Sequence, residues 1–102
     1  MKSRLRPPPP LIDGATVLWW ADTAGIGRTD ACTFRREDAE QRAFAGLAIA
    51  QYARDASCYL FLCDTQWETQ NDTLHRDADE AKTFAERLYP GISVRWERAG
   101  IG

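Results

Sequence analysis

The stretch CDTQWETQNDTLHRDADEA, residues 63–81, gathers the one histidine of the chain with a cysteine, a tryptophan and a run of Asp and Glu side chains. Imidazole, thiolate and carboxylate are the usual ligands of zinc and related ions, and a histidine beside a carboxylate is the usual acid/base pair. The metal reading needs Asp72 and His75 to converge. At i and i+3 on a strand they point to opposite faces, and Asp77 reaches His75 only across a strand-helix bend. The same residues read fully as a hairpin strand entering a capped helix. Asp77 is then the N-cap, and Asp79 and Glu80 lie in the first turn, where the helix dipole favours negative charge.

Other enzyme chemistry finds no foothold. With one histidine, a Ser or Cys nucleophile is activated only where His75 lies beside it, and Cys63, at the end of an apolar strand, reads as a small buried hydrophobe. The sequence has no P-loop, dinucleotide fingerprint or H-E-x-x-H. No catalytic residue, no metal ligand and no cofactor is expected, and the chain is not expected to be an enzyme. Cys32, Cys58 and Cys63 are odd in number and lack C-x-x-C spacing, so reduced, buried thiols are expected.

The elements that position these residues follow from composition and period. The chain has 102 residues, enough for one core, with 44% hydrophobic and 27% charged residues, the profile of a globular protein. Its longest nearly apolar run, AFAGLAIA, is far short of the roughly 20 residues of a membrane span, so a cytoplasmic location is expected. Residues 1–10, MKSRLRPPPP, are expected to form a flexible, solvated proline-rich arm of polyproline II character, and 11–102 a single α+β domain. ATVLWWAD reads as a strand apolar on both faces, and DACTFRR as its hairpin partner. Residues 36–56 are rich in helix formers and predict a deeply packed helix, in which Gly46 and the alanines allow close approach to a sheet. CYLFLCD predicts a central strand, TQWETQND a turn, TLHR a return strand, and residues 77–89 a second helix with Ala81, Phe84, Ala85 and Leu88 on one stripe, ended by Pro90 and Gly91. ISVRWER alternates with Ile92, Val94 and Trp96 inward.

At a constant offset of 42 residues, Leu18 falls on Leu60, Asp22 on Asp64, Thr23 on Thr65, Asp30 on Asp72, Ala39 on Ala81 and Ala43 on Ala85. These matches read as a duplicated ββα unit, ββα-ββα-β. With or without duplication, the expected fold is a two-layer sandwich: an antiparallel sheet of about five strands with two helices on one face. In that register Leu74 faces the helices and His75 lies exposed on the open face.

The run YLFLCD…DTLH…DEA, residues 59–81, resembles a hairpin-then-helix unit of small uncharacterised bacterial proteins, and that resemblance implies no activity. WWADTAGIGRTDACTFRREDAE resembles, more faintly, the hairpin-then-helix arm-binding modules of phage integrases, whose sheets read DNA. The chain departs from those modules in its net charge of −2 and in Asp22 and Asp30.

Two function classes remain. The first is a protein-binding adaptor, inhibitor or immunity/antitoxin-like partner of another protein. Its contacts come from the open sheet face and from Trp67, because a tryptophan in a polar turn either anchors an interface or folds back over its own hairpin. The alternative is nucleic-acid binding, with Arg28, Arg35, Arg36, Arg95 and Arg98 contacting phosphates and Lys2, Arg4 and Arg6 of the arm assisting. The candidate partner-binding residues are Trp67, His75, Arg95 and Arg35.

Overall fold

The computed structural model describes residues 5–27, 29 and 44–99. Within them the elements run β1 (Leu11–Ile12), β2 (Ala15–Asp22), β3 (Gly46–Gln51), β4 (Cys58–Cys63), β5 (Thr69–His75), helix α1 (Ala78–Leu88), a 3-10 turn (Ile92–Val94) and β6 (Glu97–Arg98). Strands β1 to β5 pair in sequence order, all antiparallel, and β6 adds to β2 at Trp19 and Trp20. The sheet curls into a half-barrel. Two irregularities act in that direction, since each places an extra residue in one strand and increases local twist: Leu18 in β2, between the pairs Val17 with Ala50 and Trp19 with Ile49, and Gln70 in β5.

Alternation along the central strands gives the sheet two apolar faces. Leu47 and Ile49 of β3 join Leu60 and Leu62 of β4 on the face that α1 covers with Ala81, Ala85 and Leu88. On the opposite face Val17, Trp20, Ala48, Ala50, Phe61 and Cys63 form a second cluster with Trp67, and Leu5 of the N-terminal arm packs against it. Burial on both sides explains why β3 and β4 read as unbroken apolar runs. The β1-β2 loop is a two-residue turn, Asp13-Gly14, with φ of 51° and 84°, as the twist of such a hairpin requires.

Helix α1 has the expected start. Asp77 Oδ1 accepts the Glu80 backbone N–H at 2.9 Å, and Glu80 Oε1 accepts that of Arg76 at 2.6 Å, a reciprocal capping arrangement. At the other end Gly91 takes φ of 102°, and the Glu86 carboxylate accepts the N–H groups of Gly91 and Ser93 at 2.9 and 3.0 Å, which folds the following segment into the 3-10 turn.

The structure corrects the expected architecture. Only α1 is helical at length among the described residues, so the layer of two helices on one face and the ββα duplication are both overturned. The predicted helix over 36–56 contains β3, which lies between β2 and β4 and has no counterpart in the second unit. Gly, Leu, Ala and Ile in an all-apolar run fit either a buried helix or a buried central strand, and here hydrogen-bonding partners on both sides decide for the strand. Residues 36–43 and the predicted strand DACTFRR lie outside the described residues. The alternation in ISVRWER also misleads. Ile92 is buried, but Val94 is 86% exposed in the 3-10 turn, and only Glu97 and Arg98 form strand.

Candidate binding groove at the docked arm

The turn between β4 and β5 is built around Asp64. Its Oδ1 accepts the N–H groups of Gln66 and Glu68 at 2.8 and 2.9 Å, while the Trp67 N–H donates to the Asp64 carbonyl at 3.0 Å. This wrap forces Trp67 to φ of 64°, a left-handed conformation costing about 1–2 kcal/mol for a residue with a Cβ. The ring offsets that cost. It is 6% exposed, stands edge-on to Trp20 with centroids 6.0 Å apart, and lies over Gly46, where a Cβ would meet it at 2.6 Å.

The indole Nε1–H then donates to the Arg6 carbonyl at 2.7 Å. Residues 1–4 of the expected solvated arm lie outside the described residues, but from Leu5 onward the chain rests on the domain. The Leu5 N–H donates to Asp22 Oδ2 at 3.1 Å, its side chain reaches Gly46, and the Val17 N–H donates to the Pro10 carbonyl at 3.0 Å. Beside the arm opens a groove of about 370 Å³ lined by Leu5, Arg6, Asp22, Thr23, Ala24, Ala45 and Thr65.

The groove walls are fixed before any ligand arrives. Asp22 Oδ1 accepts the Ala24 N–H at 2.7 Å, the Thr23 hydroxyl donates to the Phe44 carbonyl at 2.8 Å, and Arg95 Nη1 donates to the carbonyls of Asp22 and Ala24 at 2.9 and 2.7 Å. Arg6, exposed, adds a cation to the lining. A lining of apolar, hydroxyl and charged side chains together suits a peptide segment or side chain.

The candidate residues named from the sequence fare unevenly. Trp67 is folded back over its own hairpin and does not project as a surface anchor; its indole N–H is turned to the arm. Arg95 is turned onto backbone carbonyls at the groove wall. Arg35, with Arg28 and Arg36, lies outside the described residues, and Arg98 packs over the Trp19 ring at 5.2 Å. His75 reverses its expected face. Paired with Cys58, it lies under α1, its ring centroid 5.1 Å from that of Phe84, its Nε2 2.7 Å from the Thr73 hydroxyl and its Nδ1 3.8 Å from Glu80 Oε1. Leu74 points the other way and is 58% exposed. The inversion follows from the pairing: a register displaced by one residue sends every side chain of the strand to the opposite face. Burial lowers the His75 imidazole below its ordinary value, with Glu80 pulling it upward. Burial also pushes the Cys63 thiol up to about 12, far from a nucleophile's range. Among the described residues no three His, Cys, Asp or Glu side chains converge as a metal site.

Sequence reasoning missed Leu5, Asp22 and Gly46. The signal for Gly46 was present, since a glycine in an apolar run marks a close approach, but it was assigned to a helix surface. Comparison with protein-family models, curated proteins and solved structures finds no match for this chain. No helix among the described residues is long and apolar enough to cross a membrane.

Proposed function

We propose that this chain is a small cytosolic, non-enzymatic protein-binding module, of the adaptor, inhibitor or immunity type, and that it contacts its partner at the groove beside the docked arm. The observation that carries the reading is the groove itself. Its lining combines Leu5, Ala24 and Ala45 with the oppositely charged Arg6 and Asp22, and its walls are already held by the hydrogen bonds of Asp22, Thr23 and Arg95, so little ordering cost falls on binding. The free, buried thiols of Cys58 and Cys63 suit a reducing compartment.

The test is capture from native lysate by the intact protein, compared with Thr65→Arg and with Thr83→Lys. Thr65 is exposed in the groove lining, and an arginine there fills the groove mouth; Thr83 is exposed on α1. A partner retained by the intact protein and by Thr83→Lys, and lost with Thr65→Arg, is the expected result. A partner indifferent to Thr65→Arg would place the interface elsewhere and sink the reading.

A further inference from the structure

The segment from Leu5 to Pro10 lies on the domain as a bound peptide would. One apolar side chain, Leu5, reaches Gly46 beside the Trp67 ring. Two main-chain groups are read by protein side chains: the Leu5 N–H by the Asp22 carboxylate and the Arg6 carbonyl by the Trp67 indole. The four prolines that follow have no N–H to satisfy, and Pro7, Pro9 and Pro10 are exposed. An indole donor aimed at a carbonyl just ahead of a proline run is a contact suited to polyproline II, which arrives preformed and with its carbonyls free.

The receiving residues sit on elements fixed independently of the arm. Gly46 opens the central strand β3, Asp22 ends β2 with its second oxygen on Ala24, and Trp67 is held by the Asp64 turn. The left-handed Trp67 backbone is a further indication, because strain of this kind persists at ligand clamps where the surroundings over-determine it. The geometry points to a peptide-binding groove occupied in cis. The site takes a proline-rich segment with a leucine-class residue two positions before the first proline, and the chain's own arm is its resting occupant. This inference rests on the protein-binding reading, names the chemistry of the partner, and extends its seat from the groove beside the arm to the bed that the arm itself occupies. An incoming peptide must displace the arm, so its affinity for the intact chain is reduced by the fraction of molecules with the arm docked.

Two measurements on full chains test it, with acetyl-Ala-Leu-Ala-Pro-Pro-Pro-Pro as probe. By fluorescence anisotropy of the labelled peptide, Leu5→Asp, which releases the arm, should bind at least about tenfold more tightly than the intact chain. The same peptide with Asp for Leu should not bind. In the intact chain, millimolar peptide should accelerate tryptic cleavage of the bond preceding Leu5 several-fold, since that N–H is held by Asp22 only while the arm is docked. The proteolysis reads the unmodified protein, so it decides the matter even where Leu5→Asp folds poorly. A folded Leu5→Asp that ignores the peptide, or an intact chain whose cleavage rate the peptide leaves unchanged, overturns the inference. So does a concentration-dependent dimer abolished by Leu5→Asp, which would mean arms exchanged between copies. Partner capture that depends on Thr65 but is unaffected by the peptide would leave the protein-binding reading standing and remove this one alone.

Discussion

Replacing Gly46 by alanine should destabilise the protein, although alanine is ordinarily the better residue in a strand. The added Cβ would lie 2.6 Å from Leu5 Cδ2 and 2.6 and 2.9 Å from Cη2 and Cζ3 of Trp67. Carbon contacts settle at about 3.5–4.0 Å, so the neighbours must retreat by about 1 Å. The tip of Leu5 can rotate away. The Trp67 ring cannot do so freely, because Trp20 and the bond to the Arg6 carbonyl hold it on two sides. Overpacking of this kind costs about 1–3 kcal/mol, and removing a strand glycine returns about 0.5–1 kcal/mol through the unfolded chain. The net loss is centred on about 1 kcal/mol and reaches at most about 2.5 kcal/mol, and at about 4–8 °C per kcal/mol for a domain of this size the melting temperature falls by about 5–10 °C. Thermal unfolding followed by circular dichroism reads it directly, and a double-mutant cycle locates the cause: in a Trp67→Leu background the same substitution should be neutral or stabilising. A Gly46→Ala protein that melts at or above the parent temperature would show that ring and arm do not close over this strand.

Further expectations concern His75, the carboxylates that bind the helix ends, and the buried thiols. His75→Ala should cost about 1–3 kcal/mol in urea denaturation, since it removes a ring packed on Phe84 and leaves the Thr73 hydroxyl without its partner; an unchanged midpoint would refute the placement under α1. Because burial depresses the His75 value in the folded state, its contribution is fully present above the ordinary value of 6.5 and is lost as the pH drops below it, so the parent should lose stability from pH 7 to 5 more steeply than His75→Phe. The carboxylates of Asp77 and Glu86 accept backbone N–H groups and are likewise held below their ordinary values of 3.8 and 4.5; Asp77→Ala should lower the melting temperature by about 4 °C at pH 7, and the parent's acid-side loss below about pH 4.5 should be shallower in Glu86→Gln. Finally, Cys58 and Cys63 should resist a thiol reagent at pH 8 until the protein unfolds, as read by mass mapping of the labelled peptides; rapid native labelling of Cys63 would contradict its burial.

Local chemistry was legible in the sequence wherever it is decided locally. The cap at Asp77, the stripe of Ala81, Ala85 and Leu88, the stop at Pro90-Gly91 and the two-sided strands ATVLWWAD and CYLFLCD depend on residues within a few positions of one another, and each lies where its pattern indicates, whereas the turn expected over 65–72 is shorter because β5 already begins at Thr69. Three matters belonged to the tertiary structure. The run GLAIAQ satisfies a buried helix and a buried strand equally well by composition, and only the presence of β2 on one side and β4 on the other makes it β3. The face of His75 depends on its register against Cys58, which a local pattern of mixed polarity leaves open. The arm is the plainest case. Four prolines favour an extended, polyproline-like arm, but its resting place is set by a glycine 41 positions beyond Leu5 and an indole 61 beyond Arg6, a meeting that exists only once the sheet has brought β3 and the Asp64 turn together.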